Sequence, residues 1–77
     1  MSAKEMFEEL GYEQKTSIGV IYYFKKIHIP KNDIVYNINF ITDLINGEKE
    51  IFISKNIDMQ ELKAINKQIE ELGWLNE

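Results

Sequence analysis

Apolar residues recur at two different spacings in this 77-residue chain, and the change from one spacing to the other restricts what it can fold into. Near the start, Ala3, Met6, Phe7 and Leu10 fall on one face of a helix. Near the end, Leu62, Ile65, Ile69 and Leu72 repeat at three, four and three. Between them, Ile34, Tyr36, Ile38 and Phe40 alternate with Val35, Asn37, Asn39 and Ile41, which is the two-residue period of a strand. A helical pattern will not settle as a strand, nor the reverse. The chain therefore reads as helix, sheet, helix in one small domain over residues 1–77.

Local signals set the boundaries. Ser2 with Glu5 and Asp58 with Glu61 are capping boxes, in which a side chain and a backbone amide at each position satisfy one another. Gly11 and Gly73 supply the left-handed stop, each followed by an aromatic residue, Tyr12 or Trp74. The predicted helices span about residues 3–10 and 59–72. The first is too short to stand alone and must dock. Ile18 to Ile29 is rich in β-branched and aromatic residues, Pro30 to Asp33 is a turn cluster, and Glu50 to Ser54 is a further strand. Asn46-Gly47 suits a two-residue type I′ hairpin, which would set Phe40 against Ile53, Ile41 against Phe52 and Thr42 against Ile51. The fold class that follows is α+β: a helix, a three-stranded antiparallel meander and a second helix, with both helices on one face of the sheet.

Composition excludes several functions. Cysteine is absent, so there is neither a disulfide framework nor a thiolate metal site. The longest apolar stretch, Ile18 to Phe24, falls far short of the roughly 20 residues of a membrane span. The polar start predicts no secretory signal. The single histidine, His28, has no second ligand or base in its pattern and reads as a solvent-facing strand residue. The pairs Glu8-Glu9 and Glu70-Glu71 diverge by about 100° on a helix and read as solvated faces. Asp43, Glu48 and Glu50 lack the spacing of a calcium loop. The serines have no partner base, and there is no phosphate or dinucleotide loop. The expectation is no enzyme, no cofactor and no metal.

Two surfaces remain. Assigning Ile34, Tyr36, Ile38, Phe40, Ile51 and Ile53 to the core leaves Val35, Ile41, Ile45 and Phe52 for the reverse face, with Ile21 and Tyr23 from the first strand. A bare apolar sheet face usually marks an interface, unless the N-terminal helix crosses to cover it; the interface is the favoured reading. The expected binding set is thus Ile21, Tyr23, Val35, Ile41 and Phe52, for a protein partner or a second copy as a homodimer. The alternative is a nucleic-acid patch of Tyr22, Lys25, Lys26, His28 and Lys31. The net charge of −4, with nine lysines and no arginine, weighs against it.

The terminal stretches carry a further signal: Ala3-Lys4-Glu5-Met6-Phe7-Glu8-Glu9-Leu10-Gly11-Tyr12, and Leu62-Lys63-Ala64-Ile65-Asn66-Lys67-Gln68-Ile69-Glu70-Glu71-Leu72-Gly73-Trp74. Together they resemble a family of small uncharacterised proteins from phages and prophages of low-GC Gram-positive bacteria. The resemblance covers both helices and is weaker in the strands. It implies a mobile-element context and a cytoplasmic role in an infected or lysogenic bacterial cell, and it transfers no catalytic residue.

Overall fold

The computed structural model describes residues 1–75. Helix α1 (Ala3–Glu9) is followed by strands β1 (Glu13–Ser17), β2 (Val20–Ile29), β3 (Asn32–Thr42) and β4 (Lys49–Ile53), then helix α2 (Met59–Leu72). The strands form one antiparallel sheet in the order β1-β2-β3-β4. The meander is therefore α+β as expected, but it has four strands rather than three. The added strand, Glu-Gln-Lys-Thr-Ser, contains no apolar residue and so leaves no alternation to read. Ile18-Gly19 is the turn that pairs it with β2. Gly19 is required there: its φ is +75°, and a Cβ would lie 2.7 Å from the Thr42 carbonyl oxygen.

Both capping boxes form. Ser2 and Asp58 accept from the amides of Glu5 and Glu61, whose carboxylates accept from the amides of Ser2 and Asp58 in return. Gly73 closes α2 in the left-handed conformation. The helices also hold each other, since the Glu71 carboxylate near the end of α2 accepts from the Ala3 amide at the start of α1 (2.9 Å). Glu71 is thus tied to the opposite helix rather than simply solvated.

The β3–β4 connection corrects the expected register. Phe40 pairs with Ile51, Ile41 with Glu50 and Thr42 with Lys49, two residues from the hairpin expected at Asn46-Gly47. The cause is Asp43, whose carboxylate accepts from the amides of Ile45 and Asn46, while Asn46 accepts from the Glu48 amide. These bonds organise a longer loop, closed by Asp43 N to Glu48 O (2.8 Å). The Asp43 carboxyl is held below its usual range by the same two amides. Because the slip is two residues, each side chain keeps its face.

One face of the sheet carries the core. Phe7 stacks on Tyr23 with ring centroids 3.9 Å apart and meets Tyr12 and Phe40 edge-on. Tyr23, Ile38 and Phe40 from the sheet are buried with Ala64 and Ile65 of α2. Both helices therefore lie on this inner face, in two layers. Two sheet residues expected in the core remain 37% exposed: Ile34, where the β2–β3 hairpin runs past the helices, and Ile53, on the edge strand β4. No residue from 26 to 36 is buried, so this half of the hairpin is a two-stranded arm.

Candidate functional site: the uncovered sheet face

Which side chains reach the outer face follows from the pairing. Pro30-Lys31 is the two-residue connection, and it sets Ile29 against Asn32, Tyr23 against Ile38 and Ile21 against Phe40. Odd residues of β2 thus share a face with even residues of β3. Tyr23 and Ile21 are consequently inner-face residues: Tyr23 is fully buried and Ile21 is half-buried against the core. This corrects their placement on the interface. Val35, Ile41 and Phe52 do lie on the outer face, joined by Val20, Tyr22 and Phe24. Val35 is 47% and Phe52 51% exposed. Ile45 sits on the β3–β4 loop, almost wholly exposed, rather than on the sheet.

The outer face carries apolar side chains around Asn39 and charged residues of both signs at its rim. Tyr22, Asn39 and Phe52 form one row across the sheet, with Lys15 at its end on β1. The Lys15 ammonium lies 5.3 Å from the Phe24 ring centroid. Glu13, Glu50 and Asp33 share this face with Lys15, Lys26 and the imidazole of His28. The Asn39 carboxamide oxygen is buried among these residues with no hydrogen-bond partner among the described residues. Such an acceptor costs about 1–3 kcal/mol unless something donates to it.

The lysine and tyrosine patch does not assemble. Lys25 points to the inner face, donates to the Leu10 carbonyl at the end of α1 (3.1 Å) and lies over the Tyr12 ring. Lys26 and His28 both close on Asp33, at 3.2 and 2.6 Å. Tyr22 stands farther along the strand, and Lys31 is in the turn. Strand alternation splits the set between two faces, and Asp33 neutralises what remains together.

Sequence reasoning missed a buried polar cluster on the inner side. Glu61, only 1% exposed, accepts from the Tyr12 hydroxyl and from Lys55 Nζ (2.7 and 2.9 Å). Burial alone would push its carboxyl up. The bonds from Lys55, Tyr12 and the Asp58 amide outweigh that, and the net direction is down. The Tyr12 hydroxyl is pushed up, by burial first and then by Glu61. Tyr23 is also raised by burial, and its hydroxyl bonds Gln68 of α2. The spacing signal for Glu61 was its place in the capping box; its burial depends on Tyr12, far away in sequence. This cluster fastens α2 to the chain after α1.

Among the described residues, no three metal-capable side chains gather. No described helix is long and apolar enough to cross a membrane. A cleft of about 190 Å³ lies between Gly19, Thr42 and Trp74, below the roughly 300 Å³ of ordinary small-molecule sites. Comparison with family models, with curated proteins and with solved structures finds no match.

Proposed function

We propose that this chain is a non-enzymatic protein-binding module that docks a protein partner on the outer sheet face. The observation that carries this reading is the absence of any described element over Tyr22, Val35, Ile41 and Phe52, while both helices pack on the other side. An apolar face rimmed by charged residues of both signs matches the core-and-rim composition of protein interfaces. The terminal signatures support a phage or prophage accessory role inside a bacterial cell, with a host factor, a defence component or a second copy as the partner. The absence of a basic excess on the outer face favours a protein over a nucleic acid as the occupant.

Capture from a low-GC Gram-positive lysate tests the reading. The unaltered protein is expected to retain a partner that Tyr22→Glu and Val35→Glu both lose and that the helix-surface control Lys63→Glu keeps. Equal retention by all variants would remove the face from consideration. A salt-sensitive association with DNA of either form would favour the lysine patch instead.

A further inference from the structure

The two edges of the sheet differ in kind. β1 is polar throughout, whereas β4 presents Ile51, Phe52 and Ile53 in succession. Ser54 donates its amide to the Asn37 carbonyl (3.0 Å), and Asp43 donates to the Glu48 carbonyl (2.8 Å). With the observed register, these bonds fix the phase of the ladder. The backbone groups of Glu50 and Phe52 face β3, and those of Ile51 and Ile53 face away from it. No partner meets the outward groups of Ile51 and Ile53 among the described residues. Phe52 and Ile53 are 51% and 37% exposed. Natural sheets usually blunt such an edge with charge, proline, a bulge or a covering segment.

We propose that β4 pairs antiparallel with the β4 of a second copy of this chain, about a two-fold axis through Phe52. In that register Ile51 meets the partner's Ile53, and each such pair exchanges both N–H···O bonds. Phe52 meets the partner's Phe52 as a close, non-hydrogen-bonded pair, and Glu50 meets the partner's Ser54. Sliding toward the charged end of the strand is disfavoured. Sliding by one pair toward Glu50 sets that carboxylate against the partner's Phe52, and sliding once more sets it against the partner's Glu50. The contact extends the docking reading, because it would join two outer faces into one continuous sheet surface, but it uses the edge rather than the face. Strand addition of this length falls below about 1,200 Å² of buried surface, which makes the dimer a weak, exchanging one.

Light scattering over a dilution series reaching about 1 mM tests the contact. The expected mass rises from the 9.1 kDa of one chain toward twice that value. Ile53→Pro removes an outward amide and leaves the β3 ladder intact, so it is expected to remain monomeric with an unchanged far-UV spectrum. Tyr22→Glu, on the face, is expected to dimerise normally, which separates failure of the edge contact from failure of the docking face. The chain has no cysteine, so Phe52→Cys provides a single thiol. Opposed non-hydrogen-bonded residues stand about 4.5 Å apart at Cα, within disulfide reach, and rapid oxidation to a covalent dimer is expected. Lys15→Cys, on the other edge, is expected to stay largely reduced. A monomer throughout the series would overturn the proposal. So would a dimer indifferent to Ile53→Pro, or oxidation of Phe52→Cys no faster than that of Lys15→Cys.

Discussion

The two faces of this sheet are built from the same kinds of residue and differ in what covers them. On the inner face, Tyr23, Ile38 and Phe40 are sealed by Phe7, Ala64 and Ile65, and even the hydroxyl of Tyr23 has a partner in Gln68. On the outer face, Tyr22, Val35 and Phe52 face solvent around an Asn39 oxygen that lacks one. Tyr22 and Tyr23 are neighbours in sequence, yet one is 39% exposed and the other fully buried. Covered and uncovered side chains are thus separated by strand alternation alone, so the stability cost of a substitution should follow its parity.

The largest expected effect is on the inner face. Phe7→Ala removes the ring that stacks on Tyr23 and should destabilise the fold by about 3–5 kcal/mol in chemical denaturation. A loss below about 1 kcal/mol would blur the difference between the faces. Glu61→Gln should cost about 2 kcal/mol, because it removes a charge that Lys55 and Tyr12 both bond. The pH dependence sharpens this point. The folded-state carboxyl is depressed, so its contribution is complete above the ordinary glutamate range and is lost as pH falls through the lower folded value. The unaltered protein should therefore lose stability on acidification below about pH 4, and the Glu61→Gln variant should lose less over the same interval.

Gly19→Ala should cost about 2 kcal/mol, since it places a Cβ against the Thr42 carbonyl at positive φ. Gly47→Ala, with the same sign of φ and open space around it, should cost about 1 kcal/mol. Thermal melts of the pair would distinguish close approach from backbone strain. The smallest effect belongs to the outer face. Asn39→Val removes the partnerless oxygen and suits a strand, so it should leave stability unchanged or raise it by up to about 1 kcal/mol. A marked loss would reveal a hidden partner for Asn39.

The helices were legible because their signals are local. Two capping boxes and two glycine stops placed α1 within one residue and α2 at both ends. The sheet was harder because its signals are relational. β1 carries no apolar residue, so only its partner strand defines it. The Asn46-Gly47 hairpin was displaced by Asp43, whose carboxylate gathers the loop amides three residues earlier than the turn signal suggests. Val35, Ile41 and Phe52 were assigned to the correct face because alternation along β3 survives a slip of two. Ile21 and Tyr23 were not, because their parity relative to β3 depends on the length of the Pro30-Lys31 turn. The split of Lys25 from Lys26 and His28 follows from the same parity.

Chemical denaturation of a Tyr22→Glu/Val35→Glu double variant tests most directly whether the outer face is free of cover. With both side chains open to solvent, the midpoint and slope should stay close to those of the unaltered protein, with a loss under about 1 kcal/mol per site. A collapse in stability comparable to that of Phe7→Ala would show the face to be covered within the protomer, and it would contradict the separation of a stabilising face from a binding one.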